Sequence, residues 1–306
     1  MAKILVTGGA GFVGSNLVSK LIAELHDVWI IDDFSNGLES NLNPHARFLK
    51  ADLSESNWRT ELQHEQFDIV VHCAAQASNA TSFKNPMRDL LDNLLATQQV
   101  IKYCEDQSIR RVIFTSSMSV YGNSYIFPTP VDTNPNPGTF YALHKSTAEK
   151  YFKFSKTLDW TIFRLYTTYG AGQNLANREQ GLVKIYLTYI LNEENVVVHG
   201  SADRVRDIIH VNDVVEAIYS SLFNIKTFGR IYNLGTGQTI KVKQIIQQLY
   251  EGLGITNPPR VIYEAADYGD PEVTHADITL TLRDLDWKPQ ISPAMGIALT
   301  ISHYVK

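Results

Sequence analysis

Over its first 170 residues the chain alternates short apolar runs with longer stretches whose apolar positions recur at helical spacing. Lys3–Val6 and Val28–Ile31 read as the first two strands, with a helix over Phe12–Leu25 between them. Arg47–Lys50, Asp68–His72, Arg111–Thr115 and Thr161–Leu165 continue the strands. Helical patterns over Pro86–Gln107 and from Tyr141 to about Lys156 fall between the later ones. Helices placed between successive strands imply a parallel, doubly wound α/β sheet covered on both faces. Past Tyr169-Gly170-Ala171-Gly172 the pattern loosens. Helices are expected near Glu179–Leu191, Asp213–Phe223 and Val242–Leu253, with short strands at Val196–His199 and Ile231–Leu234. The expected division is a dinucleotide-binding domain over 1–170, to which later segments return, and a smaller substrate-binding lobe over 171–306. The proline-rich Phe127–Gly138 reads as an ordered loop near the active site, not as a linker.

Composition narrows the class. With 306 residues, 44% of them hydrophobic and 19% charged, the chain can bury a full core. A net charge of −5 with scattered basic residues predicts neither a nucleic-acid partner nor binding to an anionic membrane. The first residues read as a strand and a glycine turn, not a targeting segment, and no apolar stretch is long enough to span a bilayer. The two cysteines, Cys73 and Cys104, and the histidines His64, His72, His199 and His275 show no metal-ligand spacing, so no metal is expected. A reducing cytoplasm is the expected location.

Chemistry enters with Thr7-Gly8-Gly9-Ala10-Gly11-Phe12-Val13-Gly14, a glycine turn between a strand and a helix. That setting binds a dinucleotide. Gly8 permits the turn, Gly11 lets the backbone approach a pyrophosphate, and Gly14 lets helix pack on strand. The pyrophosphate then meets the positive end of the helix, where Phe12 and Val13 begin it. Asp32, at the end of the second strand, can accept hydrogen bonds from both adenine-ribose hydroxyls and repel a 2′-phosphate, which predicts NAD over NADP. Asp33 reads as a solvated neighbour. Tyr141 and Lys145 stand four residues apart on one helix face. A free tyrosine ionises near pH ~10, and a nearby ammonium is expected to lower that value. A positioned hydroxyl such as Ser117 can hold a substrate alcohol while Tyr141 takes its proton and a nicotinamide takes the hydride.

These motifs, together with Asp32–Gly37, Ala51-Asp52-Leu53, His72–Ala77, Thr115–Gly122 and Arg204–Asp213, resemble the extended short-chain dehydrogenase/reductases, in the nucleotide-sugar epimerase/dehydratase branch close to UDP-glucose 4-epimerases. The resemblance implies a Rossmann domain with Asp52, Leu53 and Ala74 near the cofactor, Ser117, Tyr141 and Lys145 as catalytic residues, and a nucleoside-diphosphate sugar as substrate. It also implies a homodimer through the helices Pro86–Gln107 and Tyr141–Lys156, with Leu90, Leu91, Leu94, Leu95, Val100, Ile101, Tyr151, Phe152 and Phe154 enlarging their apolar surface. Arg206 matches a diphosphate-binding arginine, which Arg204 could assist; an ion pair to Asp207 or Asp213 is the structural alternative. Met118-Ser119 occupy the place where 4,6-dehydratases carry Asp-Glu, and small or apolar residues there resemble 4-epimerases. Thr167 stands where many relatives have asparagine, and Asp267 where they often have an arginine on the diphosphate. C4 epimerisation is the expected reaction. A nucleotide-sugar dehydrogenase or reductase, a 4,6-dehydratase, and a catalytically idle NAD-binding sensor or scaffold are the alternatives.

Overall fold

The structure is a computed structural model that describes residues 1–266 and 270–305. Seven parallel strands make the central sheet, numbered here β1 (Lys3–Thr7), β2 (Asp27–Asp32), β3 (Arg47–Lys50), β4 (Ile69–His72), β5 (Arg111–Ser117), β6 (Asp159–Leu165) and β7 (Arg230–Leu234). Their spatial order is β7-β6-β5-β4-β1-β2-β3. Every residue of β4 and β5 is buried, as a strand covered on both faces requires. On one face, Leu17, Val18 and Leu21 of the helix Phe12–Ala23 pack with Val214 and Ile218 of Val211–Ser221. On the other face, Val100 and Cys104 of Ala96–Asp106 pack with Ala148 and Phe152 of Phe140–Phe154.

Two expectations are adjusted here. The run Ile231–Leu234, read among the strands of the lobe, extends β7 at the sheet edge, paired with β6 in register Tyr232 to Phe163. The expected helix from Pro86 is broken into Pro86–Leu90, a π-helical turn Leu91–Leu95, and Ala96–Asp106. The buried Asn93 in that turn donates to Gln76 O at 2.9 Å and to Asp89 Oδ1 at 3.0 Å, a tertiary demand that periodicity does not display.

A second core unites the helices Leu182–Leu191, Val242–Gly252 and Pro293–Tyr304 around Tyr169, Leu187, Ile245 and Ile297. Small two-stranded pairings lace it to the sheet: Ile208–His210 beside Thr167–Tyr169, and Ile240–Lys241 beside Val205–Arg206. The strand order reverses between β1 and β4, and a cleft opens there, at the carboxyl ends of the strands. Among the described residues no helix is long and apolar enough to cross a membrane.

Candidate active site

At the dinucleotide end, backbone approaches backbone more closely than any side chain allows. Gly8 has φ of 69°, and a Cβ there would lie 2.6 Å from Ala74 N. A Cβ on Gly14 would meet Gly8 O at 2.1 Å. The helix Phe12–Ala23 begins on Gly11, which offers no side-chain cap, so its first N–H groups are left for an anion in the cleft. This cradle fits a pyrophosphate. Asp32 lies at the end of β2, with Oδ2 accepting from Ala10 N at 3.0 Å and Oδ1 from Phe34 N at 2.9 Å. Burial holds its pKa above the usual carboxylate value despite those bonds. Beside it, Arg88 Nη2 reaches Asp52 at 3.0 Å, Asp92 at 2.7 Å and Asp33 at 3.5 Å. Sequence reading missed Arg88, because nothing local ties it to carboxylates on two other strands' loops.

At the other end of the cleft stand Ser117, Tyr141 and Lys145. Ser117 closes β5, and the helix Phe140–Phe154, capped by Thr139 Oγ1 on Ala142 N, brings the other two beneath it. Ser117 Oγ donates to Ser119 Oγ at 3.1 Å and is also hydrogen-bonded to the Tyr141 hydroxyl. The expected action of Lys145 on Tyr141 is not what dominates. Burial pushes the Tyr141 phenol up to about 12, the Ser117 bond working against it and the Asp89 charge with it. The Lys145 ammonium donates to Thr115 O at 3.0 Å and stands 4.6 Å over the Phe114 ring, and burial brings it down to about 8. Low-dielectric surroundings disfavour both charged forms, so the chain's own groups do not make Tyr141 a phenolate at neutral pH.

On the substrate side, Thr167 and Arg206 line the cleft. Arg206 is buried and pairs with Asp270 at 2.9 Å, not with Asp207 or Asp213. Arg204 grips the other oxygen of Asp270. Asp207 instead accepts from Thr236, Gly237 and Ala276, and Asp213 from Gln290 and Ile291. Two guanidiniums thus share one carboxylate, leaving net positive charge at that end. Asp267 lies outside the described residues. The remaining expected positions, Phe12, Val13, Leu53 and Ala74, line the same cleft of ≈ 550 Å³. Among the described residues no group of three or more His, Cys, Asp or Glu could hold a metal.

The sequence pattern of the NAD dependent epimerase/dehydratase family matches residues 4–235. The chain belongs to that family. It is 30% identical over 311 residues to the UDP-glucose 4-epimerase of Mycolicibacterium smegmatis, covering 99% of this chain and 98% of that one. Relatives named for reducing or dehydrating dTDP-sugars also match over nearly all of it. The UDP-glucose 4-epimerase of Thermotoga maritima, solved with UDP-glucose, superposes with a TM-score of 0.93 at 31% identity, over 99% of this chain and 98% of that one. That of Thermus thermophilus, solved with NAD, gives 0.90 at 28% identity, again over 99% and 98%.

Proposed function

We propose that this chain interconverts C4 epimers of a nucleoside-diphosphate sugar, with a UDP-sugar as the first candidate, through a 4-keto intermediate. The observation that carries this reading is a complete Ser117–Tyr141–Lys145 set flanked by Met118 and Ser119, neither of which exchanges protons near neutral pH. Elimination of water needs a further acid and base, and the carboxylates lining the cleft are otherwise engaged: Asp32, Asp33, Asp52 and Asp92 about the adenine end, Asp270 beside Arg206, and Glu179 held by Lys84 and Thr81.

The glycine cradle, Asp32 and Asp52 would hold NAD, with Lys145 on its nicotinamide ribose. NAD held there would supply a hydride acceptor that later returns the hydride, and its cationic nicotinamide would favour ionisation of Tyr141. In the forward half, Tyr141 takes the proton of the C4 hydroxyl while Ser117, steadied by Ser119, hydrogen-bonds the same oxygen. After the keto sugar turns over, Tyr141 returns the proton on reduction of the other face. Arg206, with Arg204 behind it, meets the diphosphate. Residues 171–306 supply most of this substrate side, and the two unpaired cysteines suit a reducing cytoplasm.

We further infer a homodimer through the two helices beside the cleft. Met87, Leu143, Tyr151 and Phe154 are exposed there, while Leu90, Leu91, Leu94 and Leu95 are half-buried. Val100, Ile101 and Phe152 belong to the core and drop out of the expected patch.

Incubation with UDP-glucose, UDP-N-acetylglucosamine and dTDP-glucose, read by mass and NMR, tests the reaction. The expected product has unchanged mass and inverted C4, with no net NADH. A product lighter by one water would establish dehydration, and stoichiometric NADH would establish a dehydrogenase.

A further inference from the structure

Between Tyr141 and Lys145 on the same helix lies His144, a residue the reaction described above does not use. It is buried, and its Nδ1 stands 2.5 Å from Asp89 Oδ2. Asp89 is only 1% exposed. Its other oxygen accepts from Gln76 Nε2 at 2.6 Å and Asn93 Nδ2 at 3.0 Å. Gln76 in turn fastens Ser78 through both its amide groups, and both residues line the cleft. One carboxylate therefore joins the helix bearing Tyr141, the π-helical turn and the cleft wall.

As packing, this is a poor choice. A buried ion pair is often replaceable by apolar side chains without loss of stability. Asp89 moreover places negative charge near a phenol that must itself become an anion, and it opposes that ionisation. The other groups around Tyr141 and Lys145 are accounted for. Ser117 is neutral, Cys73 stays a thiol because burial pushes it up to about 12, and burial brings His72 down to about 3. Glu149 is neutralised by a two-pronged contact with Arg164. The carboxylate of Asp89 is met by an imidazole and two side-chain amides, not by a guanidinium.

We propose that Asp89 and His144 are positioning residues for the reaction, holding the Tyr141 helix against the cleft wall and setting how readily Tyr141 loses its proton. The inference rests on the reading of Tyr141 as the base, and the test separates the two. A phenolate attracts the cationic nicotinamide of NAD⁺ but not the neutral ring of NADH. Bound NAD⁺ would draw the Tyr141 ionisation down from its value in the protein alone, so the preference for NAD⁺ over NADH, measured by calorimetry from about pH 6 to about pH 10, should rise with pH. Lys145 titrates in this range too and also feels Asp89, so its share is what remains when Tyr141→Phe is made in the same background. With Asp89→Asn the tyrosine-dependent rise should move to lower pH by about one unit, a tenfold change in the ionisation constant. Should that single variant not fold, the apolar pair Asp89→Leu with His144→Leu removes the same charge and should shift the rise the same way. A rise that Tyr141→Phe abolishes but neither charge-removing protein moves would overturn the proposal and leave the base assignment standing. A rise undiminished in Tyr141→Phe would overturn both. For positioning, His144→Leu should cost about tenfold or more in kcat with KM nearly unchanged, and His144→Gln, which keeps a donor to Asp89, should recover most of it. Equal losses in the two His144 variants would contradict the positioning role.

Discussion

Tyr141 shows how much a single residue depends on surroundings that are distant in sequence. Its spacing from Lys145 was legible, since helical geometry fixes what lies four residues on. Its ionisation was not, because burial outweighs the Ser117 hydrogen bond that opposes it, with the Asp89 charge adding to burial. Tyr141→Phe should lower turnover by about 10²–10⁴-fold while leaving the NAD dissociation constant at neutral pH nearly unchanged; substantial residual activity would mean another base. Since catalysis needs the phenolate and burial raises this phenol, kcat/KM should climb with pH from neutrality into the alkaline range, as a macroscopic titration shared by Tyr141 and Lys145. A flat profile would contradict it. At the opposite end, Asp32→Ala removes charge-assisted hydrogen bonds worth ~1.5–3 kcal/mol. It should weaken NAD binding about 10–100-fold and narrow the preference over NADP, as parallel titrations of both cofactors will show. The glycines were readable from sequence because their need is local: the 2.1 Å that a Gly14 Cβ would leave to Gly8 O is set within one turn.

Among elements, the helix Phe140–Phe154 is held by more than its apolar face. Glu149 accepts from Arg164 Nε at 2.9 Å and Nη2 at 2.6 Å, and from Ser116 Oγ at 2.7 Å, locking the helix to β5 and β6. Both partners of the pair are almost fully buried. Glu149→Ala would leave the Arg164 guanidinium buried without its counter-charge, and breaking such a pair typically costs ~3–5 kcal/mol. Urea unfolding should show a loss of that size, together with weakened catalysis as Tyr141 and Lys145 lose their seat; an unchanged midpoint would show that the helix is held by packing alone. Element legibility followed length and period. The long helices and the apolar strands of the sheet were readable, whereas Val205–Arg206, Ile240–Lys241 and Thr167–Tyr169 are too short to show any period. The last helix did carry readable signals that went unused: Ser292, whose hydroxyl accepts from Met295 N, followed by Pro293 in the first turn.

For the whole molecule, the cleft is closed by contacts between distant segments. Asn36 Nδ2 donates to Gln180 Oε1 at 3.0 Å, and Thr81 Oγ1 donates to Glu179 Oε2 at 2.7 Å, so the loop that leads into the lobe is tied to the loops of the sheet. Met87, Leu143, Tyr151 and Phe154 leave apolar side chains exposed on the helices beside the cleft, and larger exposed apolar patches mark interfaces. Light scattering at micromolar concentration should give twice the mass of 34.4 kDa, and Leu143→Glu with Phe154→Glu should halve it. A monomeric parent protein would refute the dimer. By itself the sequence determined the alternation of strand and helix, the glycine cradle, the acid at the end of β2 and the Ser117, Tyr141 and Lys145 set, since each follows from spacing within one element or one turn. Only the tertiary structure decided that β7 returns to the sheet edge, that Arg88 reaches Asp33 and Asp52, that Arg204 and Arg206 share Asp270, and that Asp89 meets His144. Those partners lie 55 residues apart for His144 and Asp89, and 66 and 64 for Asp270 with Arg204 and Arg206, and in a folded chain it is the packing of cores, not sequence spacing, that brings such groups within hydrogen-bonding distance.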